Sequence, residues 1–386
     1  MRKTGGVVEN LAHGHQSDKP NQHFKHAEND MKKEGEYGGK DRSSSLQASN
    51  AKDRCFRSSD KPLFRFGVIA DVQYADIKNA SNFDHTEYRF YRGALSNLKK
   101  AIDYWNEHEP EILFIAQMGD LIDGQNSGKY GEGLKMKEPH TDEAIGKVLA
   151  EFERSKCLSV HHTVGNHELM NFDRGTLLKL LFSHRKDVGL DKLYYSFRPI
   201  KSWRFVLIDS FELSVERHDK DSAAYHEAKR LIDNNNPNIA RGRNWFKDIS
   251  KDRQRFVPYN GGLGKEQIKW INNELKEATI EGERVVILSH QPLTPEAASC
   301  QTVLWNYPEV LSLIEKFECV CMVIAGHYHN GGYVKDKNGC HHVTVKACLT
   351  CEEGAYGTLD VYDDRIVLRG RGAIPKEEVY HLRVVI

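Results

Sequence analysis

The chain has 386 residues, enough for one large α/β domain with extensions or for two domains. Its 55 Lys and Arg residues balance 55 Asp and Glu residues, so the net charge does not favour nucleic-acid binding as the main function. No apolar run of about 18 residues is present to span a membrane, and no apolar secretory segment follows Met1. We therefore expect a cytoplasmic protein with reduced cysteines and no membrane contact.

Residues 1–60 are rich in Lys, Glu, Gly, Ser, Asn and His and show scarcely any apolar periodicity. This composition predicts a disordered N-terminal extension. A single folded domain is then expected over residues 61–386. Within it, residues 211–262 are polar and contain an Asn-Asn-Asn-Pro segment and a Gly-Gly pair. We interpret them as an insertion over one edge of a functional site, because loops of this length are more often functional than not.

The first half of the domain alternates strands and helices. Residues 64–70 predict a buried strand, and a helix follows in which apolar residues recur every three or four positions: Tyr88, Tyr91, Leu95, Leu98, Ile102 and Trp105. The strand that begins at Ile112 comes next, followed by a helix with Ile145, Val148, Leu149 and Phe152 on its inner face and a strand over 160–164. This alternation predicts a layered α/β sheet.

The second half contains further strands and helices. Strands are predicted over 194–197, 203–208, 284–288 and 319–325, and helices over 264–278 and 309–317. From Tyr333 onward the apolar pattern alternates in short pieces, with a hairpin turn at Tyr362-Asp-Asp-Arg365. We expect this C-terminal part to be an antiparallel element of a second sheet.

Polar side chains follow five of the predicted strands directly. They are Asp71 and Gln73, then Asp120, then Asn166 and His167, then His290, and finally His327 and His329. A single His at a strand end is more often a hydrogen-bonded loop residue, but five such ends favour a shared site at the carboxyl edge of the sheet. The donors are oxygen and imidazole without thiolate, which favours manganese, iron, zinc or magnesium. Asp120, on a central strand, is the natural candidate to bridge two ions.

Two cysteine pairs have spacings that could suggest metal or redox chemistry. Cys319 and Cys321 lie inside a predicted apolar strand, and we do not expect them to share a metal. Cys348 and Cys351 have redox or zinc spacing, but the sequence offers no second ligand pair at zinc-site spacing. We expect both pairs to be structural.

The order of five motifs resembles that of the calcineurin-like metallophosphoesterases, whose pattern is Asp-x-His, Gly-Asp-x-x-Asp, Gly-Asn-His-Asp/Glu, His and Gly-His-x-His. The corresponding segments here are Asp71-x-Gln73, Gly119-Asp-x-x-Asp123, Gly165-Asn-His-Glu168, His290 and Gly326-His-x-His329. The resemblance covers residues 64–368. It implies a four-layer α/β/β/α sandwich with two divalent metal ions.

The resemblance also implies a role for each motif residue. The first metal would be held by Asp71, Gln73, Asp120 and His329, and the second by Asp120, Asn166, His290 and His327. His167 would act on the leaving group, and Asp123 would orient His167.

Gln73 departs from the family pattern, which usually has His at this place. With residues 259–270, 305–307, 329–333 and 368–372, it makes the chain similar to the manganese-dependent ADP-ribose/CDP-alcohol diphosphatases. That subfamily implies cleavage of the phosphoanhydride of ADP-ribose or of CDP-alcohols such as CDP-choline and CDP-glycerol. Mn²⁺ would be preferred, with Mg²⁺, Fe and Zn²⁺ as alternatives. An amide ligand at Gln73 is expected to lower the metal affinity of the first site and to shift its preference toward hard cations.

Three aromatic residues are candidates to contact a small nucleotide substrate. Phe83 lies in a polar loop, which favours a substrate role, whereas Trp305 and Tyr307 are at least as well explained by ordinary packing. We expect a monomer. Two alternatives stay open: a phosphomonoesterase or cyclic-nucleotide phosphodiesterase on the same fold, and a non-catalytic scaffold, in which several metal positions would have been replaced by apolar residues.

Overall fold

The structure is a computed structural model and describes residues 61–82, 85–128, 138–182, 192–216 and 218–383. The predicted extension, residues 1–60, lies outside the described residues. The strands are β1 (Phe64–Ile69), β2 (Ala80–Ser81), β3 (Tyr88–Arg89), β4 (Ile112–Gln117), β5 (Ser159–His162), β6 (Tyr195–Ile200), β7 (Trp203–Leu207), β8 (Arg284–Leu288), β9 (Val320–Ala325), β10 (Gly332–Lys335), β11 (His341–Thr344), β12 (Ala355–Val361), β13 (Arg365–Gly372) and β14 (Glu378–His381). The helices are α1 (Tyr91–His108), α2 (Thr141–Glu153), α3 (Asn166–Asn171), α4 (Arg174–Phe182), α5 (Ala223–Asn235), α6 (Pro237–Ala240), α7 (Lys265–Glu281) and α8 (Tyr307–Ile314).

Two six-stranded mixed sheets form the centre of the fold. The first has the strand order β14-β13-β12-β1-β4-β5, and the second has the order β10-β11-β9-β8-β7-β6. In the first sheet β1, β4 and β5 are parallel, and β12 pairs antiparallel with β1. In the second sheet β7, β8, β9 and β11 are parallel. The carboxyl ends of the parallel strands in each sheet therefore share one edge, as expected for a site at strand ends.

Aromatic side chains fill the space between the two sheets. Phe66 on β1 stacks on Phe114 of β4, with ring centroids 4.9 Å apart. Phe205 on β7 of the second sheet meets both rings edge-on, at centroid distances of 5.3 Å and 5.0 Å. Edge-to-face contacts of this kind add to the hydrophobic gain of burying the rings, so this cluster joins the sheets firmly.

Helices cover the outer faces of both sheets. Trp105 of α1 contacts Tyr356 of β12, and Phe152 of α2 contacts His162 of β5. On the other side, α7 and α8 bury apolar residues against β7, β8 and β9, in a separate cluster that includes Ile271 and Val310. The result is four layers in the order α/β/β/α, which confirms the predicted fold class.

The structure corrects two details of the sequence interpretation. Tyr88 does not belong to the first helix: it lies on β3, half exposed, and pairs with Ser81 in a small hairpin. The C-terminal part does not form one element of the second sheet, since β12, β13 and β14 extend the first sheet and β11 is parallel to β9. The predicted hairpin turn is confirmed, because the N–H of Tyr362 donates to the carbonyl of Arg365 at 2.8 Å.

The segment 211–262 contains α5 and α6 and has its own small apolar clusters. One is built around Ala228, Ile232, Phe256 and Trp305, and another around Trp245 and Val257. None of the helices in the described part of the chain combines the length and the apolar composition that a membrane crossing requires.

We expect Phe114→Ala to lower the free energy of unfolding by about 3–5 kcal/mol, because it removes a fully packed ring from between the sheets. Chemical denaturation measures this change. Leu158→Ala is the control, since that side chain is 85% exposed, and it should change stability by no more than about 0.5 kcal/mol. Equal losses for the two variants would show that the aromatic cluster does not join the sheets as described.

Candidate metal centre

The carboxyl ends of β1, β4, β8 and β9 bring the predicted metal-binding side chains together. Four of these residues have left-handed backbone: Asp71 (φ 50°), Gln73 (φ 44°), Asp120 (φ 57°) and His327 (φ 65°). A non-glycine residue in this region costs about 1–3 kcal/mol. The sharp turns direct side chains of opposite strand ends toward one another, and the surrounding sheets hold them there.

The two aspartates lie at the centre of the cluster and are both almost completely buried. Asp120 Oδ2 is 3.3 Å from His290 Nε2 and 3.1 Å from Gln73 Nε2. Asp71 Oδ1 is 3.7 Å from His329 Nε2, and its carboxylate accepts the backbone N–H of His327. Asp120 is thus adjacent to side chains of both predicted metal sites, which suits a bridging position.

Each histidine of the cluster has one ring nitrogen bound to an oxygen acceptor outside the cluster. His290 Nδ1 donates to the carbonyl of Met118 at 2.6 Å, and His329 Nδ1 donates to Glu87 Oε1 at 2.8 Å. His327 Nε2 donates to Asn260 Oδ1 at 2.8 Å. Because each of these acceptors needs an N–H, the opposite ring nitrogen of each histidine has its lone pair facing the cluster when the ring is neutral.

The orientation of Asn260 is fixed independently. Its amide nitrogen donates to the carbonyls of Arg255 and Gln301, at 2.9 Å and 2.7 Å, so its oxygen must face His327. Asn260 belongs to the segment 211–262, and this hydrogen bond connects that segment directly to the centre.

Donor atoms of the cluster lie close enough together to bind divalent metal ions. His290 Nε2 and His327 Nδ1 are 3.1 Å apart, and Asp120, His290 and His327 offer donor atoms within 4.8 Å of one another. The buried oxygens Gln73 Oε1 and Asn166 Oδ1 have no hydrogen-bond partner among the described residues. So many acceptors converging on one buried site are unfavourable unless a cation or an added proton lies among them. The donor set is oxygen and imidazole, and it fits such ions.

The electrostatics of the metal-free cluster agree with this requirement. Burial raises the pKa of Asp71 to about 6. Burial has the same tendency at Asp120, but the charges of His290 and His167 outweigh it and hold that pKa below its usual range. Burial lowers the pKa of His290, yet the charges of Asp120 and Asp71 dominate and raise it to about 9. A proton on His290 therefore supplies the positive charge that the carboxylates require.

Small and buried residues around Asp120 and Asp71 leave room for the carboxylates. A Cβ atom on Gly165 would collide with Asp120 Oδ1, and one on Gly326 would lie 2.7 Å from Asp71 Oδ2. Glu168 is fully buried and accepts the backbone N–H groups of Asp120 at 2.7 Å, Leu121 at 2.6 Å and Gly165 at 2.8 Å. The segment 165–168 thus supplies the predicted ligand Asn166, and its Glu168 also holds the backbone at Asp120.

His167 lies beside the cluster at the start of α3. Its Nδ1 accepts the backbone N–H of Gly124 at 2.7 Å, while Asp123 Oδ2 is 3.4 Å from the same nitrogen. Its Nε2 is 3.9 Å from Asp120 Oδ2. Gly124 therefore fixes the neutral ring with its proton on Nε2, the nitrogen nearer the carboxylate. The orientation of His167 by Asp123 stays a prediction, and the hydrogen bond from Gly124 is a further contact that holds this ring.

The three residues proposed to contact substrate have different environments. Phe83 lies outside the described residues. Trp305 is only 1% exposed and packs in an apolar cluster with Phe256, so its ring faces are occupied by protein. Tyr307 is half-buried at the start of α8, with the guanidinium of Arg255 5.0 Å from its ring centroid. Packing is the role that the structure supports for Trp305.

Sequence reasoning missed Glu87, Asn260 and the backbone role of Glu168. Asn260 lies inside the segment 259–270 that contributes to the family resemblance, but the sequence did not indicate its contact with His327. Glu87 lies in a polar loop with neither apolar periodicity nor motif spacing, and only the fold brings it to His329.

Comparison with known proteins agrees with this geometry. The family model described as calcineurin-like phosphoesterase matches residues 64–331, and the chain belongs to this family. A Mus musculus protein named manganese-dependent ADP-ribose/CDP-alcohol diphosphatase is 36% identical over 330 residues, covering 82% of this chain and 93% of the mouse protein. A protein of the same name from Oryza sativa subsp. japonica is 37% identical over 324 residues, covering 83% and 95%. The solved structure of a dimetal phosphatase from Danio rerio is 33% identical, with a TM-score of 0.76, and the match covers 84% of this chain and all of that one.

Glu168→Ala should lower the free energy of unfolding by at least about 3 kcal/mol, because it leaves three buried N–H groups without an acceptor and each costs about 1–3 kcal/mol. Glu168→Gln should lose less, since it keeps one acceptor oxygen. Chemical denaturation of both variants, beside Glu107→Ala at a side chain that is 70% exposed, measures the difference. A Glu168→Ala variant as stable as the Glu107→Ala control would contradict the support described for Asp120.

Proposed function

We propose that this protein hydrolyses the phosphoanhydride bond of ADP-ribose and of CDP-alcohols such as CDP-choline and CDP-glycerol, with two divalent metal ions, Mn²⁺ preferred. The products would be a nucleoside monophosphate and the phosphorylated partner. The observation that carries the proposal is the buried cluster of converging acceptors at the strand ends. The names of the relatives, which match over most of the chain, support the substrate class and the metal.

The first ion would be held by Asp71, Gln73, Asp120 and His329, and the second by Asp120, Asn166, His290 and His327. When bound, such ions stabilise charge on the phosphoryl oxygens and lower the pKa of water toward neutrality. Gln73 would bind through its amide oxygen, which requires the amide to turn, because its nitrogen now faces Asp120 and His329 at 3.1 Å and 3.0 Å. Its oxygen has no competing partner among the described residues.

His167 is the proposed general acid. Its Nδ1 is occupied by the N–H of Gly124, so the proton is on Nε2 and available to the departing phosphate oxygen. A nucleoside or sugar phosphate is already a good leaving group. Protonation by His167 is therefore useful rather than essential, and falls within the range of about 10²–10⁴-fold for general acid catalysis.

Two other functions use the same fold. A phosphomonoesterase or cyclic-nucleotide phosphodiesterase would need the same metal cluster, and a substrate panel separates these activities from the proposed one. A non-catalytic scaffold would have lost several ligands, whereas the only departure from the family pattern among the seven positions is Gln73, which can still coordinate.

The proposal also covers the cellular compartment, the oligomeric state and the domain bounds of the enzyme. Four buried cysteines, Cys319, Cys321, Cys340 and Cys348, are free thiols, which supports a reducing cytoplasmic compartment. We propose that the protein acts as a monomer on small nucleotides, without nucleic-acid or membrane partners. Residues 61–386 would form the catalytic domain. Phe83 and the segment 211–262 would shape substrate choice, since Asn260 in that segment contacts His327.

The test is a substrate panel on metal-stripped protein with each divalent ion added back. ADP-ribose and CDP-choline should be cleaved in preference to a nucleoside monophosphate and a cyclic nucleotide, and Mn²⁺ should restore the highest rate. Asp120→Ala should abolish turnover because it removes the shared carboxylate. Full activity after exhaustive chelation, or preference for the monoester or the cyclic nucleotide, would contradict the proposal.

Gln73→His should bind its metal more tightly, because imidazole is a better donor than a side-chain amide. We expect the Mn²⁺ concentration for half-maximal activity to fall. The ratio of kcat/KM between ADP-ribose and a simple aryl phosphodiester should also change, since the first ion would polarise the phosphoryl oxygen differently. If neither the Mn²⁺ titration nor this ratio changes, Gln73 does not set metal affinity or substrate class.

A further inference from the structure

Glu87 is a half-buried carboxylate that contacts the metal centre from the hairpin formed by β2 and β3. Its Oε1 accepts from His329 Nδ1 at 2.8 Å and from Arg89 Nε at 2.8 Å. The hairpin holds Glu87 rigidly, since Asn82 Oδ1 accepts its backbone N–H at 3.1 Å and its carbonyl accepts the N–H of Asn82 at 2.8 Å. Both the backbone and the carboxylate of Glu87 are thus held by hydrogen bonds within the protein.

A carboxylate can only accept from an imidazole, so the proton of neutral His329 must be on Nδ1. The other nitrogen, Nε2, then presents its lone pair 3.7 Å from Asp71 Oδ1 and 3.0 Å from the amide of Gln73. We propose that Glu87 is a positioning residue for the first metal ion: it selects the ring tautomer of His329 and holds Nε2 toward Asp71 and Gln73. This inference rests on the metal centre of the proposed function.

The three histidines of the centre differ in the charge of their outer partners. His290 and His327 donate to neutral acceptors, the carbonyl of Met118 and the amide of Asn260. His329 alone donates to a carboxylate, and an anionic partner makes the imidazole a stronger metal donor than a neutral one does. His329 is also the histidine that would share its ion with the weak amide ligand Gln73. Glu87 therefore offsets the weaker donor at Gln73.

Arg89 completes the arrangement without competing for His329. Its Nε–H binds the same carboxylate, and its charge stabilises the ionised form of Glu87. Glu87 Oε1 is 2.8 Å from both His329 Nδ1 and Arg89 Nε, so the same carboxylate oxygen serves both donors.

The experiment titrates metal-free protein with Mn²⁺ alone by isothermal calorimetry and follows both binding events. Glu87→Ala should weaken one of the two by about 10–100-fold, the usual cost of losing an outer partner of a metal-binding histidine. Glu87→Gln retains an acceptor oxygen, which preserves the tautomer of His329, but loses the negative charge, so it should lose less affinity than Glu87→Ala. The control Asp76→Asn removes an exposed carboxylate from the same part of the chain, where Asp76 pairs with the exposed Arg92, and should bind Mn²⁺ as the parent protein does.

The proposal would be overturned if Glu87→Ala bound both ions as tightly as the parent protein, or if Glu87→Gln lost as much affinity as Glu87→Ala. Imidazole ¹⁵N spectra of the metal-free parent protein give a test that does not depend on the Glu87 variants folding. At a pH where the ring of His329 is neutral, this histidine, assigned by the loss of its signals in His329→Gln, should carry its proton on Nδ1. A neutral ring with its proton on Nε2 would refute the proposal. Neither measurement involves a substrate, so a wrong substrate class would leave both results unchanged.

Discussion

The structure depends on one buried cluster of hydrogen-bond acceptors at the carboxyl ends of the strands, which is largely closed to water. Asp71, Asp120 and three imidazoles meet there, and each imidazole, when neutral, uses its only N–H on an oxygen outside the cluster. Such a group is unstable by itself, because buried lone pairs and carboxylates repel one another. It becomes favourable when cations bind among the donors. This cluster, which is unfavourable by itself, is therefore also the feature on which the proposed function depends.

The rest of the chain holds this cluster in place. Left-handed backbone at Asp71, Gln73, Asp120 and His327 directs the side chains inward, and conformations of this kind persist only where the surrounding structure determines them. The aromatic layer between the sheets and the buried carboxylate of Glu168 provide that surrounding structure. Glu87, Asn260 and the carbonyl of Met118 then fix the rings. The favourable packing of the scaffold thus offsets the unfavourable free energy of the site, as is common in enzymes.

The strand ends were predictable from sequence because an apolar run followed by Asp, Asn or His is a local pattern, and five such patterns in order are specific. The four layers followed from the same motifs. The pairing of β12 with β1 was not predictable, since short antiparallel segments carry no local sign of which sheet they join. Glu87 and Asn260 were missed for a related reason: their contacts span 242 and 67 residues of chain. Trp305 looked like a candidate for stacking on a base, but its burial depends on distant residues such as Ala228 and Ile232.

The most direct measurement of the central claim is anomalous X-ray diffraction from crystals grown with Mn²⁺. We predict two manganese peaks at the strand ends, one contacting Asp71, Gln73 and His329, the other contacting Asn166, His290 and His327. Asp120 should lie between them, about 3.5–4 Å separating the two ions. A single peak, or two peaks away from these side chains, would contradict the account.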